Sequence, residues 1–573
     1  MDSGDKIRIL DLLPGGDGDD IHGILRDVGL GDGEQYEALS YVWGDGTNLR
    51  TVKVSGRSIE VTETLFAALK RLRNQRATRS LWADQLCINQ WDAKDKANQV
   101  NMMRDIYRSC TQCLIWLGEI QDTGGIALTD VEGAFDFIRL CAACSEDSQL
   151  GIAIPPSLST PDQLEGAYRA FKTLTLNGHP WWSRIWTVQE VVLPPKVLVR
   201  WGPLSLPWSI VAKAASNLCS SRNPAPVSLL KRFYGLINDF TGPVRGLGIA
   251  RYGESPLDLF QRWRYRDATE PRDKVYALLG LYPNMPLPHV QSCSYEIPTV
   301  TLYTKVTIDL IQLQQGLRPL VGLRGKYTPG LPTWVIDLAG APNMETSYWW
   351  WNHSHRYQWF DAGGGEPLRW QILHGGSVLS LTGLSVDTVE EVGEVLRTLP
   401  GQYASDKRLV ETMKSWEQMV ISYVESQHLE HNYHNGDSWA NAFWSTMIGD
   451  LIMREFPRHR GGAAGRQLVL EFCKNGGWSE VCESLHGMII NQNFFITKRG
   501  YIGIGPATTV RGDEVWVLFG AKVPFILRPS TNERRGDEKI PKYTLVGNTF
   551  VYGIMDGEVV NLYRELQQEV HIC

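Results

Sequence analysis

The sequence predicts an α/β fold for the first half of the chain, built on a largely parallel β-sheet. Short apolar segments typical of buried strands alternate there with longer amphipathic helical patterns, as a parallel sheet with crossover helices requires. The chain has 573 residues, too many for one ordinary hydrophobic core, so we expect two or three domains.

Four apolar segments are expected to form the parallel sheet. They lie at residues 36–43, 81–84, 113–117 and 197–201. A helix beginning near Asp92 joins the second segment to the third and makes one βαβ unit. A β-hairpin at 52–61, turning at Ser55-Gly56, looks like an insertion. We expect a short helix from Trp181 to Val192 to lead into the last strand.

The chain divides by composition into four regions. The α/β domain covers residues 1–205, and a helical extension of it covers 206–290. Residues 291–488 are mixed and mainly helical. Residues 489–573 are rich in Val, Ile, Phe and Tyr, punctuated by Gly and Pro, which predicts a small antiparallel β-domain.

Charge and hydropathy limit the classes of partner. The chain has 57 Lys+Arg against 63 Asp+Glu, and this net charge of −6 disfavours binding to nucleic acid. No stretch approaches the run of about 20 apolar residues that spans a bilayer, and the start at Met1-Asp2-Ser3 does not resemble a signal peptide. We therefore expect a cytoplasmic protein with no membrane span.

Two C-x-x-C pairs, Cys110/Cys113 and Cys141/Cys144, raise the question of a zinc site. Cys113 opens an apolar strand-like segment, whereas Cys141 and Cys144 come late in an amphipathic helical pattern. We therefore expect reduced core thiols and no bound metal.

Two clusters of aromatic and histidine residues also raise the question of a binding site. The stretch from Tyr348 to His355 lacks the basic residues of a nucleic-acid site, so we expect a core or domain-interface cluster. His428, His431 and His434 have no accompanying carboxylate pattern, which favours a solvated polar stretch over a zinc site.

Four segments, in order, resemble the signature text of the fungal heterokaryon incompatibility (HET) domain. They are YEALSYVWGD from Tyr36, LWADQLCINQ from Leu81, IWLG from Ile115 and WWSRIWTVQE from Trp181. One such match would be weak, but four in order are specific. The segment RDKVYALLGL from Arg272 and the run from Arg499 to Glu558 resemble text that accompanies HET domains, which extends the likeness to most of the chain.

The resemblance implies a cell-death effector in non-self recognition between fungal individuals. The HET domain in turn resembles the Toll/interleukin-receptor (TIR) fold, a flavodoxin-like parallel sheet. Leu39-Ser40-Tyr41 is similar to the first TIR strand. The run from Ser183 to Glu190 is similar to the TIR segment in which a Trp precedes, by four residues, the glutamate of NAD-cleaving members. Thr187 stands where many TIR domains have Cys.

The TIR resemblance implies that Glu190 is a catalytic carboxylate. Cleavage of the nicotinamide–ribose bond develops positive charge on the ribose, which a carboxylate stabilises. Trp186 and Glu190 are spaced i and i+4, so we expect them to share a helix face, with Trp182 one turn earlier. In the alternative reading, Trp186 is core and Glu190 binds Arg184 or a backbone amide.

Further candidate ligand-binding residues follow the first two predicted strands. Asp84 lies where open α/β sheets bind their ligands, and it either anchors a ribose or caps the following turn. Trp43, Gly44 and Asp45 offer a backbone approach for a phosphate, or Gly44 simply shapes a turn. We predict that Glu190 and Asp84 line one cleft with Trp43 or Gly44 at its rim, where a dinucleotide would bind.

Two functions from different classes stay open on the sequence. One is hydrolysis of NAD, as substrate, to nicotinamide and an ADP-ribose product, with no further cofactor. The other is a non-enzymatic signalling module that acts by self-association or by recruiting another incompatibility protein. Glu190 is compatible with both.

Overall fold

The chain folds into two compact units. The computed structural model describes residues 6–120, 125–143, 153–219, 227–282, 286–322, 327–340, 357–398, 404–429, 432–453, 459–477, 479–530 and 542–573. Unit 1 comprises residues 1–285 and 291–296, and unit 2 comprises 286–290 and 297–573.

Unit 1 contains one large mixed sheet with helices around it. Its strands are β1 Lys6–Leu12, β2 His22–Gly29, β3 Glu37–Tyr41, β4 Leu49–Val54, β5 Arg57–Thr62, β6 Arg79–Trp82, β7 Gln112–Trp116, β8 Val197–Trp201 and β9 Leu204–Pro207. Its helices are α1 Glu63–Leu72, α2 Asp84–Cys87, α3 Ala93–Ser109, α4 Leu128–Ala143, α5 Pro161–Thr173, α6 Thr187–Val192, α7 Trp208–Leu218, α8 Val227–Tyr252, α9 Pro256–Trp263 and α10 Asp273–Leu279.

The four predicted strands form the parallel centre of the sheet. Strand β3 pairs in parallel with β6 on one side and with β7 on the other, and β7 pairs in parallel with β8. Strands β3 and β7 are buried at nearly every residue, as expected of parallel strands covered on both faces. The spatial order β6-β3-β7-β8 confirms the predicted sheet.

Five more strands extend the sheet at its two edges and make it mixed. Strand β1 is antiparallel to both β6 and β2, and β9 is antiparallel to β8. The predicted hairpin is confirmed as β4 and β5, and β4 joins the edge by pairing with β2. Ser55 and Gly56 both have positive φ, at 50° and 76°, as a two-residue type I′ turn requires.

Local sequence explains where the central crossover helix begins. The Asp92 carboxylate accepts hydrogen bonds from the backbone amides of Lys94 and Asp95, so α3 starts at Ala93 as the Asp92 signal predicts. Met103, Ile106 and Tyr107 are buried on the inner face of α3. The helix therefore fixes the connection from the end of β6 to the start of β7.

Unit 2 contains a second sheet together with helices. Its helices are α11 Thr299–Gln314, α12 Asp406–Gln427, α13 Trp439–Met447, α14 Gly462–Asn475, α15 Cys482–Ile489 and α16 Glu558–Tyr563. Its strands are β10 Trp370–Leu373, β11 Val378–Val392, β12 Leu451–Ile452, β13 His459–Arg460, β14 Gln492–Thr497, β15 Ile502–Pro506, β16 Glu514–Leu518, β17 Phe525–Pro529, β18 Lys542–Asn548, β19 Phe550–Val551 and β20 Gln568–Ile572.

Five strands of unit 2 close into a circuit. Strand β11 pairs with β20 along its first half and with β16 further along, and β16, β17, β18 and β20 pair in that order. At Gly383, where β11 passes from β20 to β16, an added Cβ would lie 2.6 Å from the carbonyl oxygen of Val517. Glycine therefore permits the close approach of the two backbones.

The second sheet differs from the predicted antiparallel β-domain in two respects. Strands β18 and β20 pair in parallel. Strands β10 and β11 come from residues 370–392, within the region expected to be mainly helical. Strand β10 pairs with β11, but the other partners of β11, β16 and β20, follow more than a hundred residues later in the chain, a pairing that local patterns do not specify.

Membrane-spanning helices were sought in the described part of the chain. No helix there is both long and apolar enough to cross a bilayer.

Candidate active site

A serine and a carboxylate meet in the interior of unit 1. Ser40 lies on β3, fully buried, and its hydroxyl donates a hydrogen bond to Oε2 of Glu190 on α6. The indole Nε1 of Trp181 donates to Ser40 Oγ at 2.7 Å. A hydrogen-bonded chain from Trp181 through Ser40 therefore ends on Glu190, the predicted catalytic residue.

The surroundings of Glu190 favour its neutral form more than water would. Glu190 is only 5% exposed, and burial raises the pKa of its carboxyl to about 7. The positive charge of Arg184 and the hydrogen bond from Ser40 act against this rise. Both protonation states of Glu190 are therefore populated near neutral pH.

Asp84 contacts a second predicted site residue. It follows β6, and its Oδ2 accepts a hydrogen bond of 2.9 Å from the indole Nε1 of Trp43. Its Oδ1 accepts from the backbone amide of Gln85 at 2.8 Å, so the carboxylate also caps the turn as the alternative reading expected. Strand β6 is paired with β3, the strand that carries Ser40, and the charge of Asp84 adds to burial in raising the pKa of Glu190.

The Tyr41 hydroxyl and the Arg184 guanidinium act electrostatically on these carboxylates without a hydrogen bond of good geometry or an ion pair to them among the described residues. The buried Tyr41 hydroxyl has no partner in good hydrogen-bond geometry among the described residues, although Asp84 is near enough that its charge, after burial, raises the pKa of Tyr41. Burial raises the pKa of Tyr41, Asp84 and Glu190, and the positive charge of Arg184 acts against each rise, yet no ion pair joins Arg184 to a carboxylate in the described residues. The alternative of an Arg184–Glu190 ion pair is therefore not seen.

Trp186 and Glu190 are one helical turn apart as predicted, but the helix does not extend back to Trp181. Trp186 has helical φ −63° and ψ −30°, and its carbonyl oxygen accepts from the Glu190 amide at 3.3 Å. A 3-10 turn at Pro180–Ser183 and helix α6 are separated by Arg184, whose backbone is extended at φ −76° and ψ 133°. The prediction of one helix from Trp181 to Val192 is therefore wrong, and Trp182 is not one helical turn before Trp186. The indole Nε1 of Trp186 donates to Asp273 Oδ2 at 3.1 Å.

The turn after β3 has a local structural explanation. Gly44 has φ +75°, and an added Cβ would lie 2.9 Å from Thr64 Oγ1, so the backbone requires glycine there. Asp45 Oδ1 accepts a hydrogen bond from the Thr47 amide at 3.0 Å, which closes an Asx turn. Both residues are exposed beside the partly buried Trp43.

Residues of the helical extension hold the segment that carries Arg184 and Glu190. The fully buried Arg266 donates hydrogen bonds from Nη1 to the Arg184 carbonyl oxygen at 3.1 Å and to the Thr187 hydroxyl. Asp267 pairs with the backbone on both sides of Arg184, through the Ile185 amide and the Ser183 carbonyl. The extended break at Arg184 is thus a tertiary β-bridge.

Sequence reasoning missed Ser40, Trp181, Arg266 and Asp273 as partners of the predicted site. Ser40 carried one usable signal, since a hydroxyl on a strand buried at every neighbouring position needs a hydrogen-bond partner. Asp273 lies in the segment RDKVYALLGL that resembles text accompanying HET domains, but nothing local joined it or Arg266 to residues 184–187, because these contacts span 87 residues of chain for Asp273 and 82 for Arg266.

The cysteine and histidine clusters have ordinary surroundings where the structure describes them. Cys110, Cys113 and Cys141 are buried cysteines outside any disulfide, and burial raises the pKa of Cys110 to about 12. Cys144, His431 and the stretch 348–355 lie outside the described residues. No group of metal-ligating side chains is found among the residues that the structure describes.

Two family models match the chain. The model of the heterokaryon incompatibility protein (HET) matches residues 36–190, which include Ser40, Asp84 and Glu190. The Het-6 beta-barrel domain matches residues 475–570 in the second sheet. The chain is a HET-domain protein.

A Neurospora crassa protein is similar to this HET-domain protein along nearly the whole length of both chains. Heterokaryon incompatibility protein 6, OR allele, of Neurospora crassa is 24% identical over 665 residues, covering 98% of this chain and 95% of the relative. No solved structure matches the chain. Strand β11, which closes the circuit of strands, lies before the residues that the Het-6 beta-barrel model covers.

Proposed function

We propose that this HET-domain protein is a cell-death effector of heterokaryon incompatibility that cleaves NAD to nicotinamide and ADP-ribose. Support for the incompatibility role comes from the two family models and from the relative in Neurospora crassa. Support for the NAD-cleaving activity comes from the geometry around Glu190, argued in the steps below.

The strand order is compatible with a TIR-like sheet. Numbered along the chain, β3, β6, β7 and β8 are strands 1 to 4 and lie in the order 2-1-3-4, which is that of flavodoxin-like sheets. Such sheets bind ligands outside the carboxyl ends of their strands, where the order reverses. Ser40 and Asp84 lie at or just after the carboxyl ends of two adjacent parallel strands.

One observation carries the proposal, namely that the Glu190 carboxylate is held against β3 by Ser40 while Asp84 follows the adjacent parallel strand β6. Oε2 is occupied by the serine hydroxyl, and Oε1 has no hydrogen-bond partner among the described residues. This free oxygen is the atom suited to face a ribose carbon that gains positive charge.

The reaction follows from these roles. The bond between the ribose C1′ and the nicotinamide nitrogen breaks, and nicotinamide leaves with the bonding electron pair. Ionised Glu190 stabilises the cation at C1′. Water then adds its oxygen to C1′ and releases a proton, which gives ADP-ribose. Because ionised Glu190 is required and its pKa is about 7, turnover should rise with pH through neutrality.

A Glu190→Gln substitution tests this function. It removes the charge that opposes the developing cation but keeps nearly the same volume and an acceptor for Ser40, so turnover should fall by about 100-fold or more while the fold is kept. Nicotinamide release from the purified chain, followed by chromatography, gives the measurement. The matched control is Glu60→Gln, on the exposed face of the hairpin, which should retain full turnover.

A non-enzymatic signalling role is the second candidate, and the burial of Glu190 favours it. A residue 5% exposed and hydrogen-bonded to Ser40 could serve the fold alone. Wild-type protein that releases no nicotinamide, even when concentrated enough to self-associate, would support this role. Equal turnover by wild type and Glu190→Gln would remove Glu190 from the mechanism.

A further inference from the structure

Trp91, seven residues after Asp84, is a tryptophan exposed to solvent. The residue is 98% exposed. A tryptophan side chain can bury about 150–250 Å² of largely apolar surface, so leaving it in water forgoes a large stabilisation. On a loop ordered by hydrogen bonds, such exposure leaves both faces of the indole open to a flat aromatic ligand.

The loop that carries Trp91 is fixed in place. The Trp91 amide donates to Asn89 Oδ1 at 3.2 Å, and the Asn89 amide donates to Asp95 Oδ2 at 2.9 Å. Asp95 in turn pairs with Arg8. The indole is therefore presented from a backbone that is already ordered, so binding would cost little further entropy there.

Trp91 has no local packing role at the start of α3. It directly precedes the N-cap Asp92, a position whose apolar side chain often packs on the fourth helical residue. That residue is Lys96, whose ammonium instead lies 5.8 Å from the ring centre of Tyr295. The usual reason for an apolar residue at this position is therefore absent.

The loop is joined directly to the candidate site. The Gln90 side chain donates from Nε2 to the Asp84 carbonyl oxygen at 3.1 Å, and Trp91 is the next residue. Residues 83–92 connect the carboxyl end of β6 to the start of α3, so Trp91 lies at the same edge of the sheet as Asp84. A ligand bound at the carboxyl ends of β3 and β6 would therefore lie at the same edge of the sheet as the indole.

We propose that Trp91 stacks on the adenine ring of the dinucleotide substrate. This inference rests on the proposed function, since it places the nicotinamide ribose at Glu190 and the adenylate half toward α3. An adenine has an aromatic face that an exposed indole can cover without hydrogen bonds, and such stacking is sequence-tolerant and strong.

Two substrates of the full chain separate this role from a general effect on the site. Trp91→Ala should raise KM for NAD about tenfold, within the range that aromatic–base stacking supports, and leave kcat nearly unchanged. Nicotinamide mononucleotide lacks the adenylate half, so its kcat/KM should be the same for the variant and the wild type. Trp91→Phe should recover most of the affinity for NAD. Tyr234→Ala, which removes a 78% exposed aromatic elsewhere in unit 1, is the matched control.

A direct binding measurement keeps the inference apart from the proposed function. ADP binding, followed by calorimetry, should weaken about tenfold in Trp91→Ala, and this result supports the stacking even if no NAD cleavage is found. Cleavage with an unchanged KM for NAD in Trp91→Ala overturns the stacking and leaves the activity standing. A variant that sediments as a smaller species but binds ADP normally also overturns it, because Trp91 would then contact a second copy of the chain. Absence of ADP binding to the wild type overturns it as well.

Discussion

The ionisation of Glu190 depends on residues from four separate parts of unit 1. Burial raises the pKa of the carboxyl, and the charge of Asp84 raises it further. Arg184, Ser40 and the buried Arg266 favour the ionised form. The net effect is a carboxyl with a pKa of about 7, the range in which a catalytic carboxylate can exchange protons at neutral pH.

This raised pKa predicts how stability depends on pH. The pKa of Glu190 is about 7 in the folded protein against a model value of 4.5, so folding favours the protonated form. The associated stability is fully present below pH 4.5 and is lost as pH rises through about 7. Glu190→Gln stays neutral, so its stability relative to the wild type should increase over this range, by about 3 kcal/mol at most.

Thermal unfolding of both proteins, recorded between pH 5 and 8.5, checks this prediction. The exposed variant Glu60→Gln serves as the control and should show a flat difference from the wild type. A Glu190→Gln difference that is equally flat would mean that Glu190 has an ordinary pKa, contrary to its burial.

At the scale of elements, the segment from Ser183 to Glu190 is shaped by the helical extension. Asp267 forms a β-bridge at Arg184, Asp273 accepts from the Trp186 indole, and Gln189 Nε2 donates to the Ala277 carbonyl oxygen at 2.8 Å. Arg266 lies with its guanidinium 4.7 Å from the ring centre of Trp263. Its buried charge is thus stabilised by an aromatic face as well as by hydrogen bonds.

An Arg266→Lys substitution should loosen this segment. Lysine keeps the charge but lacks the planar guanidinium that lies over the Trp263 ring while its Nη1 donates to the Arg184 carbonyl and Thr187, so we expect a loss of about 2–4 kcal/mol in unfolding free energy. Hydrogen exchange read by mass spectrometry should show faster exchange at residues 183–190. Arg169→Lys, on a side chain 54% exposed, is the control. Unchanged exchange at 183–190 would contradict the holding role of Arg266.

At the scale of the whole molecule, the two compact units do not coincide with the family-model matches. The HET model ends at residue 190, whereas unit 1 continues to 285 and includes 291–296. Arg266, Asp267 and Asp273 all lie in this continuation. The folded unit that contains the candidate site is therefore larger than the region that resembles other HET domains.

Two shortened chains test this difference. A chain ending at residue 296 should unfold cooperatively and protect residues 183–190 from proteolysis, because it keeps Arg266, Asp267 and Asp273. A chain ending at 205, the predicted end of the α/β domain, should lose that protection, since these partners are removed. Circular dichroism and limited proteolysis give the measurement. Equal protection in both chains would show that the extension is dispensable for the site.

The parallel strands, the hairpin and the start of α3 could be predicted because each depends on local chemistry. Buried parallel strands are continuous apolar runs, Ser55-Gly56 permits positive φ, and Asp92 satisfies the first helical amides. The break at Arg184 could not be predicted, because the helical spacing of Trp182, Trp186 and Glu190 is locally consistent and only the distant Asp267 competes for the backbone. Strand β11 was not predicted for the same reason, because its partners β16 and β20 are distant in sequence.

The sequence by itself determined the four parallel strands at the centre of the sheet, the family resemblance, and the placement of Asp84 just after a strand and of Glu190 on a helix. The tertiary structure decided the hydrogen-bond partners, the burial and the pKa of these carboxylates. Ser40 binds Glu190 across 150 residues of chain, Trp43 binds Asp84 across 41, and Trp186 binds Asp273 across 87. The physical reason is that burial, hydrogen bonds and neighbouring charges set a carboxyl's pKa and accessibility, and all three depend on residues that only the folded chain brings together.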